Sequence, residues 1–299
     1  MAGHELDYHL VDVFTGKALQ GNQLAVFLDA AALTDAEMQA IAREMNLSET
    51  TFVLRRDPEI EREQGVRVRI FTTQEELPFA GHPTLGTAAT IRREFAEYAG
   101  AEAVLLDLNA GRVPVAFAPE GNAGRSDYGE MTQPDPMFGT EHGVAEIAPL
   151  LGLSPADCVE QPLPQSVSTG LPYCVVVLGS INALGRLAVD LRGAERYFSS
   201  SDAKFFYAIA QESPGVWRAR MQFYNGEDPA TGSAAGCAIA YLVRHQIVAP
   251  GEKVHIRQGV EIGRPSDLYA SANFVSGKVA EVRVGGSTVP VAKGRLFLE

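Results

Sequence analysis

A short loop followed by a helix of small residues occurs twice in this chain, and this repetition constrains the fold more than any other feature. The first copy contains Ala80-Gly81-His82, and the second contains Thr231-Gly232-Ser233. The same alignment pairs Glu76 with Glu227. Small and apolar residues follow both loops, which indicates buried helices. The repetition therefore predicts two similar halves, whose central helices point their N-termini at one shared cleft.

The start of each helix follows from its local residues. Pro83 suits a first helical turn, because its missing N–H has no partner there, and we predict the first helix over 83–95. His82 is then expected at or next to the N-cap. The second helix is predicted over 233–245. Helix N-termini carry free N–H groups and a partial positive charge, so Gly81 and Gly232 are expected to face an anionic or carboxylate group.

Strand patterns outnumber helix patterns along the rest of the chain. Thr34 and Glu37 have capping-box spacing and predict a helix that ends near Asn46, and a further helix is predicted over 143–151. Helices do not regularly separate strands, which favours an α+β fold with mixed or antiparallel sheets. The predicted strands are 8–14, 24–28, 49–54, 66–70, 104–108, 113–117, 173–178, 205–209, 217–223, 254–257, 268–272 and 279–284.

A glycine-containing stretch, 119–126, is the best candidate for a linker between the halves. We therefore expect an N-terminal half of residues 1–119 and a C-terminal half of residues 120–284. The last segment, 285–299, is expected to return and complete the sheet of the N-terminal half.

Composition narrows the classes of partner. The chain has 299 residues and a formal net charge of -12, which argues against nucleic acid or an anionic membrane surface as partner. A small anionic substrate stays compatible, because local N–H groups can outweigh net charge. The start of the chain lacks the features of a signal peptide, and the cysteines Cys158, Cys174 and Cys237 are scattered, as in a reducing cytoplasm. We expect a cytoplasmic protein with packed, inert thiols.

Four side chains could carry chemistry, and each also has a structural interpretation. Glu49 begins an apolar strand and is either a surface carboxylate or a partly desolvated general base, since burial makes a carboxylate a stronger base. His82 either caps its helix or binds a ligand or moves a proton. Asp228 and Ser233 either cap the second helix or contribute to a site.

Several familiar motifs are missing from the sequence. It contains no G-x-G-x-x-G, no Walker lysine after Gly81, no H-E-x-x-H and no cysteine–histidine cluster suited to zinc. We therefore expect acid–base side chains and backbone dipoles to do the chemistry, with no metal and no cofactor. A serine hydrolase with Ser233, His82 and Asp228 is a second possibility, although no G-x-S-x-G supports it. A binding protein without turnover is a third.

Five segments of the chain form a specific combination of motifs. They are Gly21-Asn22, Met45-Asn46-Leu47-Ser48-Glu49-Thr50, Glu76-Leu77-Pro78-Phe79-Ala80-Gly81-His82-Pro83, Glu227-Asp228-Pro229-Ala230-Thr231-Gly232-Ser233-Ala234-Ala235-Gly236 and Gln258-Gly259-Val260-Glu261-Ile262-Gly263-Arg264-Pro265-Ser266. Taken together, these segments resemble the PhzF family of phenazine biosynthesis. The matches occur in family order from about residue 8 to the C-terminus.

The resemblance implies a diaminopimelate-epimerase-like fold. In that fold, two pseudo-symmetric halves each wrap a barrel-like sheet around a central helix, and the active site lies between them. Related epimerases carry catalytic cysteines at positions that fall near Ala80 and Thr231 here, so the resemblance excludes two-thiol epimerisation. It also implies a homodimer.

The resemblance further implies a cofactor-independent isomerase. Its catalytic glutamate would be Glu49, with His82 and Asp228 also in the catalytic site. Asn22, Gly81, Gly232 and Ser233 would contribute to substrate binding. The family's isomerase acts on trans-2,3-dihydro-3-hydroxyanthranilate and moves a proton along the conjugated ring to give a ketone. The chain departs from many members at Gln23-Leu24, where they have Asn-Pro-x-Ala, and this bears on the substrate more than on the reaction.

Overall fold

Two compact units make up the fold. The computed structural model describes residues 4–118 and 128–298. One unit comprises residues 1–132 and 285–299, and the other comprises residues 133–284. The expected linker 119–126 and the expected boundary between 119 and 120 lie outside the described residues.

The first unit is a closed barrel of eight strands. They run in the order β1-β2-β3-β4-β6-β7-β8-β18, with β5 paired to β4, and β1 closes the barrel against β18. The strands are β1 (His4–Val13), β2 (Asn22–Phe27), β3 (Glu49–Leu54), β4 (Val66–Phe71), β5 (Glu76–Leu77), β6 (Ala103–Leu108), β7 (Gly111–Phe117), β8 (Tyr128–Thr132) and the later part of β18 (Lys278–Leu298).

A central helix fills this barrel. The helices of the unit are α1 (Asp35–Met45), α2 (Pro58–Gln64) and α3 (Gly81–Glu94), with a 3-10 turn at Ala96–Tyr98. Helix α3 packs against β1, β2, β3, β6, β7 and β8, and its residues are buried from Gly81 to Ile91. Its small residues permit this enclosure. A Cβ at Gly86 would lie 2.7 Å from side-chain atoms of Leu24 and Val13.

The second unit repeats this plan. Its strand order is β18-β17-β16-β13-β12-β11-β10-β9, and α7 packs against β10, β11, β12 and β17. The strands are β9 (Met137–Glu141), β10 (Gln165–Ser168), β11 (Pro172–Val177), β12 (Phe205–Ser213), β13 (Val216–Arg220), β14 (Gln222–Phe223), β15 (Gly226–Glu227), β16 (Val254–Gln258), β17 (Ser266–Val275) and the first part of β18. The helices are α4 (Val144–Ile147), α5 (Ile181–Gly185), α6 (Leu191–Phe198) and α7 (Gly232–Arg244), with 3-10 turns at Pro149–Leu151 and Pro155–Asp157.

The repeated loops hold a matching ion pair. In the first unit, Arg69 Nε and Nη2 donate to the two carboxylate oxygens of Glu76 at 2.8 and 2.6 Å. In the second unit, Arg220 Nε and Nη2 donate to Glu227 at the same two distances, 2.8 and 2.6 Å. The sequence alignment of Glu76 with Glu227 therefore corresponds to one structural device that appears twice.

The α+β class and the barrel around a central helix are confirmed. The capping box of α1 is also confirmed, because Glu37 N–H donates to Thr34 Oγ1 and Thr34 N–H donates to Glu37 Oε2. Asn46 ends that helix in the left-handed conformation, with φ 50°.

Three helix limits predicted from sequence were wrong. Helix α3 begins at Gly81 instead of Pro83, because the Thr84 N–H already bonds to the Ala80 carbonyl. His82 is therefore the second helical residue and Ala80 is the N-cap. Helix α7 begins at Gly232 instead of Ser233. The helix predicted over 143–151 breaks into α4 and a 3-10 turn at Pro149, which has no N–H to continue the ladder.

Candidate functional site

The start of α3 is the first candidate site. The N-cap residue Ala80 has an extended backbone and makes no side-chain cap. Helix N-termini leave backbone N–H groups without intrahelical partners. Gly81 and His82, the first two helical residues, are both buried. The partial positive charge of the helix N-terminus therefore lies beside the titratable ring of His82.

His82 is held by Asn22, the first residue of β2. The Asn22 Nδ2 to His82 Nδ1 distance is 3.0 Å, and both residues are almost fully buried. With the Asn22 amide in this orientation its nitrogen donates, so Nδ1 accepts and the neutral ring carries its proton on Nε2. Burial lowers the pKa of His82 to about 3, and this outweighs the opposite effect of the Gln23 backbone. The ring is therefore neutral near pH 7.

Glu49 faces the other nitrogen of this ring. Its Oε2 lies 3.5 Å from His82 Nε2, and 13% of its side chain is exposed. The first residue of β3 reaches this place because β3 pairs in parallel with β2, which sets Glu49 opposite Leu24. Among the described residues His82 Nε2 has no hydrogen-bond partner. The pair thus sets a carboxylate beside a buried N–H that can still bind a ligand.

The start of α7 holds a matching but chemically different arrangement. Ser233 is the second helical residue, as His82 is in α3, and its Oγ lies 2.8 Å from the hydroxyl of Tyr173 in β11. The N-cap residue is Thr231, which makes no side-chain cap. Ser233 therefore does not cap its helix, and its hydroxyl group is engaged with a buried phenol.

Asp228 lies in the loop between β15 and α7 and is buried. Its Oδ2 accepts a 2.6 Å hydrogen bond from the Thr231 hydroxyl, and its carbonyl oxygen accepts one from Gln258 Nε2 at 2.8 Å. The carboxylate is thus held by the hydroxyl of Thr231, the N-cap residue of α7. Sequence reasoning missed Gln258 as a contributor; its place in a family-like segment was the only available signal.

The structure brings the predicted residues into two groups. Asn22, Glu49, Gly81 and His82 come together around the start of α3, and Asp228, Gly232 and Ser233 come together around the start of α7. The hydrolase alternative gains no support. The Nδ1 atom of His82, which a triad would use for its aspartate, is bonded to Asn22, and the Ser233 hydroxyl is bonded to Tyr173.

The described residues contain neither a metal-binding cluster nor a helix that could cross a membrane. Across 4–118 and 128–298, no group of three or more His, Cys, Asp or Glu side chains is arranged to hold a metal ion. No helix in the same ranges is both long and apolar enough to cross a membrane.

Comparison with known proteins gives a match along almost the whole chain. Residues 11–294 match the PhzC-PhzF family model, described as phenazine biosynthesis-like protein. A trans-2,3-dihydro-3-hydroxyanthranilate isomerase from Pseudomonas aeruginosa is 39% identical over 295 residues, covering 97% of this chain and 99% of the relative.

Solved structures agree with this match. A predicted epimerase from Pseudomonas aeruginosa superposes with a TM-score of 0.80 and 36% identity, covering 97% of this chain and 99% of that one. A probable proline racemase from Agrobacterium radiobacter shares the fold, with a TM-score of 0.71 at 11% identity, over 98% of this chain and 93% of the racemase. The architecture is thus one that racemases and epimerases also use.

Proposed function

The chain belongs to the PhzC-PhzF family and is an isomerase of the PhzF type, and from this premise we propose that it isomerises trans-2,3-dihydro-3-hydroxyanthranilate in phenazine biosynthesis. The single observation that carries the proposal is the pairing of Glu49 with the buried ring of His82, with 3.5 Å between Oε2 and Nε2. The choice of substrate is supported by the name of the Pseudomonas aeruginosa relative, a trans-2,3-dihydro-3-hydroxyanthranilate isomerase.

The reaction is a proton transfer without net oxidation. For the carbon that bears the hydroxyl group to become a ketone, its hydrogen must leave as a proton and its C–H electrons must enter the conjugated ring. Glu49 accepts that proton and returns one to another ring carbon on the same face. The resulting enol loses its O–H proton and gains a C–H to become the ketone, so that atoms and electrons balance.

The neutral state of His82 suits this scheme. A protonated imidazole beside Glu49 would stabilise the carboxylate and weaken it as a base. Burial keeps the pKa of His82 near 3, so the ring instead offers an uncharged N–H. That N–H can donate to the substrate or to Glu49 as the proton moves. Asn22 fixes the ring orientation through Nδ1.

Substrate binding is assigned to the remaining residues of the two groups. The N–H groups at Gly81 and Gly232 suit the substrate carboxylate, because helix N-termini favour anions. Asp228 and Ser233 suit its amine and hydroxyl groups. Kinetics of single variants at Asp228 and Ser233 test these assignments.

The enzyme is further proposed to be a cytoplasmic homodimer. Free, buried Cys158, Cys174 and Cys237 support a reducing compartment. Family resemblance supports the dimer. Light scattering at micromolar concentration should give twice the mass of the chain, and a monomer would contradict this part of the proposal.

The decisive experiment compares Glu49→Gln with wild type. We expect the wild type to convert the dihydro compound to the ketone, and Glu49→Gln to lose at least ~10²-fold in kcat with KM little changed, because the amide cannot shuttle a proton. Mass spectrometry and loss of diene absorbance measure the conversion. Glu61→Gln is the matched control, since Glu61 is a buried carboxylate of the same unit that binds Arg55 instead. A Glu49→Gln enzyme that keeps near wild-type turnover would remove Glu49 from the mechanism.

A further inference from the structure

Gln258, at the end of β16, makes four hydrogen bonds in the second unit and is fully buried. Its Nε2 donates to the Asp228 carbonyl oxygen at 2.8 Å and to Thr231 Oγ1 at 2.9 Å. Its Oε1 accepts from Tyr207 Oη at 3.0 Å and from the Thr231 backbone N–H at 3.1 Å. A buried amide with every partner satisfied rigidifies the segment that it binds.

Two of these partners fix the orientation of the Gln258 amide. The Asp228 carbonyl can only accept a hydrogen bond, and the Thr231 backbone N–H can only donate one. Rotating the amide by 180° would set donor against donor at Thr231 and acceptor against acceptor at Asp228. The nitrogen must therefore face Asp228 and the Thr231 hydroxyl.

This orientation decides where the Thr231 hydroxyl proton points. Thr231 Oγ1 accepts from Gln258, so its single proton is directed to Asp228 Oδ2, at 2.6 Å. A carboxylate oxygen that accepts a short hydrogen bond is favoured in its ionised form. The hydrogen bonds thus form a chain in which each group donates to the next, from the Tyr207 hydroxyl through Gln258 and Thr231 to Asp228.

We propose that Gln258 and Thr231 are positioning residues that hold Asp228 as an oriented hydrogen-bond acceptor for a donor group of the substrate. The inference rests on the proposed function, which assigns Asp228 to substrate binding. It adds that Asp228 acts by accepting a hydrogen bond and that its geometry depends on the Thr231 hydroxyl.

The main test uses two substitutions at Thr231. Thr231→Val keeps the shape and removes the hydroxyl, and we expect kcat/KM to fall at least ~10-fold, mainly through KM, as for loss of a hydrogen bond to a charged group. Thr231→Ser should stay within about threefold of wild type. Thr90→Val is the matched control. It removes a buried hydroxyl that bonds the Gly86 carbonyl inside α3, and it should leave KM unchanged. Equal losses in the Val and Ser variants of Thr231 would overturn the inference.

A double-mutant cycle separates positioning from general structural damage. In an Asp228→Ala background, Thr231→Val should have no further effect on kcat/KM, because its action passes through the missing carboxylate. Additive losses would overturn the inference. Gln258→Met should reproduce the rise in KM; if this variant does not fold, the Thr231 variants still decide.

Binding of 3-hydroxyanthranilate, which has the same amine, hydroxyl and carboxylate groups, keeps this inference distinguishable from the proposed function. If the wild type binds it without turning over the dihydro compound, the proposed function fails, and calorimetric titration of the same variants decides the role of Thr231. Weaker binding by Thr231→Val with rescue by Thr231→Ser would support the inference, and equal affinities would overturn it. Neither binding nor turnover by the wild type would overturn both.

Discussion

The two units share the same set of contacts around the start of the central helix, which we call the shared frame, and they differ in the side chains placed there. Positions separated by the same interval as Glu76 and Glu227 make the same contacts in each unit. Arg69–Glu76 corresponds to Arg220–Glu227. The contact of Asn22 with His82 corresponds to that of Tyr173 with Ser233. In both, the second helical residue is fastened to a residue near the start of a neighbouring strand.

Strand pairing, rather than the sequence interval, gives Glu49 a counterpart. Leu24 lies opposite Glu49 across a parallel pairing, and Val175, the counterpart of Leu24, lies opposite Tyr207. Tyr207 donates its hydroxyl proton to Gln258, and burial, with the nearby Asp228 charge, raises its pKa well above the usual range. The first unit thus has a carboxylate and a neutral imidazole where the second has only hydroxyl groups.

This difference distinguishes contacts that both units share from side chains that only one unit has. The bidentate Arg–Glu pairs and the buried helix starts occur in both units. The Glu49–His82 pair, to which we assign the proton transfer, occurs in one. In a protein with an internal repeat, equivalent positions can therefore be compared between the two copies. Positions whose side chains differ in chemistry are the candidates for site residues.

The largest expected effect concerns the shared frame. Arg220→Met should lower the free energy of unfolding by about 3–5 kcal/mol, because it removes the charged partner of Glu227, whose side chain is only 9% exposed. Arg220 also donates to the carbonyls of Leu184 and Leu187, which would lose these bonds. Arg69→Met should cost only about 1 kcal/mol, because that pair is more exposed, with 15% and 24% of the two side chains accessible.

Urea unfolding measures this difference between the units. Circular dichroism follows both of them, and fluorescence of Trp217, the single tryptophan, reports on β13, the strand that holds Arg220. Equal losses in the two variants would show that burial does not distinguish the two copies of the pair.

The next effect concerns the second helical residue of each central helix. His82→Asn should lower kcat by about 10²-fold, at the lower end of acid–base contributions, since it removes the N–H beside Glu49. Ser233→Ala should lower kcat by less than about tenfold, because this hydroxyl is engaged with Tyr173. Initial rates at saturating substrate give both values. A larger loss at Ser233 would reverse the assignment of chemistry to the first unit.

The smallest effect is a dependence of stability on pH. Unfolding restores His82 to an ordinary pKa of about 6.5, whereas the folded pKa is about 3, so between these values the unfolded chain binds the additional proton. Stability from this residue is complete above pH 6.5 and falls as the pH drops towards 3, by about 1.4 kcal/mol per pH unit. At pH 5 the loss is about 2 kcal/mol.

A variant isolates this contribution. His82→Asn should have a shallower fall in unfolding free energy between pH 6.5 and 4 than the wild type. His142 of the second unit also has a pKa lowered by burial, so a His142→Gln variant gives the corresponding slope for that unit. Identical slopes for wild type and His82→Asn would show that the ring is protonated in the folded state.

Local signals in the sequence predicted much of the fold. The capping box at Thr34, the hairpin of β6 and β7, and the repeated loops each depend on residues close together in the chain. The missed strands lack such signals. In β9 the side chain of Met137 is exposed, and β10 buries Gln165 and Ser166, so neither strand alternates apolar and polar residues in the usual way.

The candidate site was predictable as residue types but not as contacts. Glu49 and His82 stood out by position and by family resemblance. Their proximity depends on the parallel pairing of β2 with β3 and on the barrel that encloses α3, and no local pattern encodes either. Gln258 was hidden for the same reason: it lies on β16, whereas its partners Asp228 and Thr231 belong to the loop before α7.

The pairing of β1 with β18 has a consequence for the order of folding during synthesis. Glu5 is opposite Phe297, so the barrel that holds Glu49 and His82 cannot close until the last strand has left the ribosome. Residues 133–284 are synthesised after β8 and before the closing part of β18. During that time the sheet around α3 is open and has unpaired strand edges. Contacts between such distant residues slow folding. Premature termination near residue 284 would therefore disable the half of the enzyme that was synthesised first.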